Sequence, residues 1–155
     1  MKPVPIGATG DFTLVVHSEH LANRFKDSAL PPVLATPVMI MVMENAALNA
    51  IKPFLEPGEN AVGTRVDVRH VAPTPLGSTV VGHAEVTRVD GRQIEFLVSA
   101  HDHLEEIGSG THERVVVDLA RLAGRLHAKQ PNSRRGGRGR AGRYRLTAST
   151  SLVGA

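Results

Sequence analysis

Three side chains in this sequence are candidates for chemistry: Glu44 and His70 as an acid–base pair, and Thr36 as a hydroxyl at a helix N-terminus. Glu44 falls in residues 36–55, which read as one long helix. Thr36 can act as its N-cap, Pro37 suits the first helical position, where no N–H is needed, and six apolar residues follow. Asn45, Asn49, Lys52 and Glu56 share one face at three- and four-residue spacing, and Glu44 lies about a quarter-turn or more off that stripe. A carboxylate placed there costs free energy unless it is paired. His70 comes from a different element. Residues 61–72 alternate, and His70 has the parity of Val62, Thr64, Val66 and Val68, the side expected to pack on the helix. An imidazole beside a buried carboxylate is an acid–base pair that moves a proton near neutral pH. The same pair would also serve as a structural hydrogen bond in a polar-poor core, and spacing alone supports both. Thr36 adds a hydroxyl at a helix N-terminus, where free N–H groups and the dipole favour an oxyanion; its plainer role is the cap itself. Eight residues of helix separate Thr36 from Glu44 by about 12 Å. A site using both needs a spanning substrate, bridging groups or a second subunit.

Other candidate groups are weaker. His101 and His103 face one side of a strand with His112 nearby, but no third ligand stands at a recognised spacing, so no metal site is assigned. Gly108-Ser109-Gly110 is followed by a strand rather than a helix, which excludes a phosphate loop and leaves a turn. Arg114 precedes three valines; in so apolar a strand it is either paired with an acid or faces a ligand.

The elements that must position these residues follow from pattern. The chain has 155 residues, enough for one domain with a sizeable core, and its 41% hydrophobic content includes only 3% aromatic residues, so aliphatic packing dominates. Residues 1–10 read as a flexible arm, 11–128 as the folded domain and 129–155 as a basic Gly/Arg-rich tail expected to be disordered. Within the domain we expect a strand at 11–17, a loop with a short helical turn at 18–35 and the long helix. An antiparallel meander follows at 61–72, 78–89, 92–102 and 111–118, with Asp90-Gly91 as a hairpin turn, and 119–127 forms a short helix. A sheet with one apolar face and one apolar helix must cover each other, so the fold class is α+β, with an antiparallel sheet wrapped around one long central helix.

Charge is divided unevenly. Residues 1–128 hold eleven basic and all fifteen acidic side chains, a net −4, while 129–155 hold seven basic and no acidic ones. The pI near 9.8 therefore belongs largely to the tail, and nucleic acid is expected at most weakly, through that tail. No run approaches the roughly 18 apolar residues of a membrane span, and the first residues lack a signal peptide's apolar core. The absence of cysteine excludes disulfides, thiol nucleophiles and thiolate metal sites. A cytoplasmic location is expected.

Several blocks carry a family resemblance. Leu34-Ala35-Thr36-Pro37-Val38-Met39-Ile40 with Glu44 eight residues after Thr36, Val62-Gly63-Thr64-Arg65-Val66-Asp67 and His70-Val71-Ala72-Pro73-Thr74-Pro75 are three of them. Val89-Asp90-Gly91-Arg92, Ser99-Ala100-His101-Asp102 and Gly110-Thr111-His112-Glu113-Arg114 are the others. At consistent spacing over residues 11–126 they resemble the fluoroacetyl-CoA thioesterase-like family of hotdog-fold thioesterases. The resemblance implies a hotdog fold, a Thr36/Glu44/His70 triad, and Gly63 and Arg114 lining the acyl pocket. It further implies hydrolysis of a small acyl-CoA in a homodimer with its sites at the subunit interface. No cofactor is implied, CoA being part of the substrate. In the specialised fluoroacetyl enzyme phenylalanines close the pocket before the threonine; here Asp27 and Leu30 stand at those positions, a departure that bears on fluoroacetyl selectivity and not on general thioesterase chemistry. Two other functions are compatible with such a domain: a non-catalytic acyl-CoA or metabolite binder, and an acyl-thioester hydratase of the MaoC type, against which the threonine-first spacing argues.

Overall fold

The computed structural model describes residues 1–130. Five strands, β1 (Thr9–Val15), β2 (Glu59–His70), β3 (Thr79–Asp90), β4 (Gln93–His101) and β5 (Glu106–Asp118), form one antiparallel sheet in the order β1-β3-β4-β5-β2. Between β1 and β2 run a short helix α1 (Ala22–Phe25) and the long helix α2 (Thr36–Ile51); α3 (Leu119–Lys129) ends the described chain. The sheet curls around α2, which buries Val38, Met39, Val42, Met43, Ala46, Ala47, Ala50 and Ile51 at helical spacing. Small residues set the depth of this packing. A side chain at Gly10 of β1 would collide with the α2 backbone at Ala46 and Ala50, and one at Gly82 of β3 would come within 2.7 Å of Val42.

The expected α+β class and central helix are present, with several differences in detail. The four later strands are not one meander: β3, β4 and β5 follow as neighbours, but β2 pairs with β5 at the far edge. Pro73 and Pro75 prevent a tight hairpin after β2, and the Thr74 carbonyl accepts the Leu34 amide at 2.8 Å, tying the crossing segment to the start of α2. Helix α2 stops at Ile51 and tightens into a single 3-10 turn, Lys52–Phe54, at Pro53. Gly108-Ser109-Gly110 lies inside β5 rather than in a turn. A Cβ on Gly108 would come within 2.6 Å of the Met39 sulfur, so glycine there serves close approach. The turn falls at 102–105, where the Asp102 carboxylate accepts the amides of Leu104 and Glu105 at 2.8 and 3.0 Å. Residues 1–10, expected as a flexible arm, lie against the domain instead: Val4 is buried, the Lys2 amide reaches the Phe54 carbonyl, and Thr9 and Gly10 already belong to β1. Residues 131–155, most of the expected tail, lie outside the described residues.

One irregularity governs the site. Gly63 pairs with Arg114 and Arg65 with Glu113, so Thr64 is an extra residue, a β-bulge. Cross-strand partners share a face, so Gly63 points inward with buried Arg114; beyond the bulge Val66, Val68 and His70 share the inner face of His112. Val62, expected inward, turns out and is 38% exposed, while His70 keeps the inward side assigned from its parity. Among the described residues no helix is long and apolar enough to cross a membrane.

Candidate active site

Thr36 and His70 come together. Ala35, not Thr36, is the N-cap of α2; Thr36 is its first helical residue, and no cap hydrogen bond engages a side chain there. The Thr36 hydroxyl is therefore free to face the end of β2, and its Oγ1 lies 2.9 Å from His70 Nδ1. Burial lowers the pKa of His70, with the Ala72 backbone partly opposing, so the imidazole is held neutral near pH 7. A neutral ring can accept the Thr36 proton at Nδ1 and keep its own proton on Nε2. That Nε2 is buried without a hydrogen-bond partner among the described residues. The pair sits at an apolar pocket of about 330 Å³, lined also by Leu30, Val33, Leu34 and Ala72, with Lys26 at its border. Leu30, named from the sequence as a substrate contact, lines this pocket and is 40% exposed.

Glu44 belongs to a second cluster two turns further along α2. Its side chain is 37% exposed rather than buried, and its nearest basic partner is His112, with Oε1 and Nε2 3.8 Å apart. The expected pairing of Glu44 with His70 is not made within the chain, because the two face opposite ends of β2. Gly63 makes room for this carboxylate: a Cβ there would sit 2.5 Å from Glu44 Oε1 and 3.1 Å from His112 Cε1. Arg114 is buried, and two of its guanidinium nitrogens donate to backbone carbonyls. Nη1 donates to the Glu44 carbonyl at 3.1 Å and Nη2 to that of Ala61 at 2.7 Å. Burial lowers the Arg114 pKa while Glu44 opposes the shift. Gly63, Glu44 and Arg114 thus lie close together, and the register of β2 against β5 is what joins them.

His112 is the residue that sequence reasoning missed. The sequence offers it only as a neighbour of a weak metal pair and as part of the Gly110–Arg114 block, with no role of its own, yet it is 1% exposed and stacks under Phe96 with ring centroids 6.1 Å apart. The alternation of 112, 114 and 116 along β5 was the available signal. His101 instead lies near Glu106 at 3.6 Å, and among the described residues no three His, Cys, Asp or Glu side chains converge on a metal-sized site. A larger cleft, of about 770 Å³, lies between α3 and the end of the sheet, lined by Arg92, Arg121 and Arg125 among others. It holds none of the residues chosen for chemistry.

Known proteins resemble this chain over most of its length. The family model of the fluoroacetyl-CoA-specific thioesterase matches residues 16–120. A fluoroacetyl-CoA thioesterase of Streptantibioticus cattleyicolor is 44% identical over 126 residues, covering 79% of this chain and 91% of the relative. The structure of the fluoroacetyl-CoA thioesterase FlK superposes with a TM-score of 0.79 at 38% identity, covering 84% of this chain and 100% of that one. A thioesterase superfamily member from Thermus thermophilus follows at 0.76 and 33% identity, covering 83% and 94%. A hot-dog-like protein from Thermanaerovibrio acidaminovorans superposes at 0.71 and 30%, covering 86% and 95%.

Proposed function

This chain belongs to the fluoroacetyl-CoA-specific thioesterase family, and on that premise we propose how it acts as an acyl-CoA thioesterase: Thr36 and His70 of one protomer work with Glu44 of a second. The observation that carries the reading is the 2.9 Å contact between Thr36 Oγ1 and a neutral His70 at the floor of an apolar pocket. A nucleophile in hydrogen-bond reach of its base is the arrangement acyl transfer requires. The Thr36 oxygen attacks the thioester carbonyl carbon as its proton passes to His70 Nδ1. The C–S bond breaks, and the departing CoA thiolate takes that proton. Glu44 then draws a proton from water, whose oxygen attacks the acyl carbon; the Thr36 oxygen leaves and takes up the proton Glu44 received, which regenerates the carboxylate, and free acid departs. The amide end of α2 favours the charge that develops on the carbonyl oxygen. Gly63 and Arg114 bound the acyl group beside Glu44, and Leu30 bounds it at the Thr36 pocket. CoA enters as part of the substrate. A small acyl group fits the pocket volume, and a cytoplasmic site of action fits a cysteine-free chain that uses acyl-CoA.

The homodimer is supported by the edge of the sheet. β2 is twelve residues long, pairs with β5 on one side only among the described residues, and exposes Val62 and Val66 at 38% and 39%. A long unpaired edge with exposed valines is a surface that a second strand covers.

The test is thiol release over a panel of acyl-CoAs, from acetyl to decanoyl with phenylacetyl and fluoroacetyl, on wild type, Thr36→Ala and Glu44→Gln. Wild type turns over at least one substrate, and each variant alone loses most of that rate. Co-expressed, the two variants form mixed dimers in which one of two sites is intact, restoring about a quarter of the wild-type rate in a random mixture. Full loss in the mixture would place Thr36 and Glu44 in a site within one protomer. No release from any substrate would remove the hydrolase assignment.

A further inference from the structure

We propose that His112 is a positioning residue of the thioesterase, fixing the Arg114 guanidinium and the β2 bulge that seats Gly63 against Glu44. The hydrogen-bond partners decide its tautomer. Nδ1 lies 2.8 Å from the Arg65 carbonyl oxygen, which can only accept, so Nδ1 carries the proton. Nε2 lies 3.2 Å from Arg114 Nη1, which can only donate, so Nε2 presents its lone pair. The two requirements agree on one neutral form.

That form links four parts of the site. Arg65 is the first paired residue after the bulged Thr64, so the bond to its carbonyl pins the bulge. Arg114 Nη1 is shared between His112 Nε2 and the Glu44 carbonyl, so the imidazole also fixes the angle at which the guanidinium meets α2. Glu44 Oε1 stands 3.8 Å from Nε2 with no proton between them, which leaves the carboxylate uncommitted to a hydrogen bond from this ring. From β4 the ring of Phe96 stacks on it.

Protonation would dismantle this. An Nε2–H would oppose the Arg114 N–H at 3.2 Å and turn toward Glu44, taking up the carboxylate that hydrolysis needs free. The surroundings resist it on balance: burial lowers the His112 pKa and Arg114 lowers it further, against the opposing hydrogen bond to the Arg65 carbonyl and the pull of Glu44 and Glu113. The Arg65 side chain points away and pairs with Glu113 at 3.2 Å.

The inference rests on Glu44 serving the thioesterase site, and its test separates the two. In the 15N-labelled full chain, a long-range proton–nitrogen spectrum is expected to show His112 with a protonated Nδ1 and a bare Nε2 throughout the pH range of activity. An Nε2–H signature there overturns the proposal, whatever the enzyme does. In the thiol-release assay, His112→Phe is expected to lower kcat about 10- to 100-fold with KM within about twofold, and His112→Gln, whose carbonyl can still accept from Arg114, to recover part of it. Both variants are assayed at a temperature where circular dichroism shows them folded. Rates within twofold of wild type for both overturn the positioning role while wild type and Glu44→Gln still report on the hydrolase. An inactive wild type would count against the hydrolase and leave the spectrum as the test of His112.

Discussion

Replacing Gly63 with alanine isolates the position of one carboxylate. The backbone tolerates the change, since Gly63 is not among the positive-φ glycines at 7, 58, 77 and 91. The added Cβ would stand 2.5 Å from Glu44 Oε1 and 3.1 Å from His112 Cε1. Ordinary contact needs about 3.4 Å, so the oxygen must retreat by roughly 1 Å, a misplacement that costs about 10²-fold in rate when the group takes part in the reaction. Stability should barely respond. The obstructing atom is the end of a half-exposed side chain, and losing a strand glycine restores about 0.4–1 kcal/mol through the unfolded chain, which offsets the small shift asked of His112. The expected result is a kcat lower by about two orders of magnitude with Tm changed by about 4 °C or less. The assays are thiol release on the best acyl-CoA and thermal unfolding on the same preparation. Unchanged kcat with unchanged Tm would show that Glu44 has no fixed place in the reaction. A large fall in Tm with kcat intact would make the glycine a packing device only.

Other outcomes follow from the same geometry. Leu30→Phe narrows the Thr36 pocket from its exposed side, so kcat/KM should fall about tenfold for the longer acyl chains and little for acetyl; a uniform change would mean Leu30 does not bound the acyl group. His70 and His112 both have pKa values below the ordinary 6.5, so the unfolded chain takes up protons first as pH falls. Stability should be level above about pH 7 and decline as pH drops below 6.5 toward the folded-state values, measured by urea unfolding at a series of pH values; stability that rises on acidification would contradict the buried neutral rings. Asp67 is the middle of the seven paired positions from Gly63 to His70, so a two-fold dimer through β2 sets it against its own copy. Asp67→Cys, in a chain otherwise free of cysteine, should give a covalent dimer on mild oxidation, and Asn60→Cys should not; the reverse would move the axis.

Legibility divided along physical lines. The α2 core face, the inward parity of His70 and the cover of a sheet by one helix are local-pattern properties, and each was readable because burial imposes a period. What was unreadable depends on register. Nothing in the types around Thr64 marks a bulge, yet the bulge decides that Gly63 and His70 face inward on opposite parities. The chain path after His70 was misjudged because a Pro-x-Pro turn reads the same whether the next strand pairs locally or crosses the sheet. Gly108 and Gly110 read as turn formers because glycine has two uses, freedom of backbone and absence of a side chain, and only the neighbours tell them apart. Glu44 stands out in the sequence because a carboxylate off the polar face of the helix asks for a partner; which histidine lies near it within the chain is fixed by β2–β5 pairing, forty residues and more away in sequence.

The separation of the two half-sites is itself a consequence of that pairing. α2 and β2 run antiparallel, with Thr36 beside His70 at one end and Glu44 beside Gly63 at the other. Along the helix the interval is about 12 Å, and seven residues of extended strand make it about 20 Å on the sheet side. Neither a rotamer nor a small hinge closes such a gap, so within one protomer the Thr36–His70 pair and the Glu44 carboxylate do not meet; in the dimer we propose, they meet across the interface. A two-fold partner reverses the order of ends: an isologous contact through the β2 edge would set the His70 end of one copy beside the Gly63 end of the other, twice per dimer. Under that symmetry the eight-residue spacing that is too wide for one site within a protomer becomes the spacing that builds two between protomers.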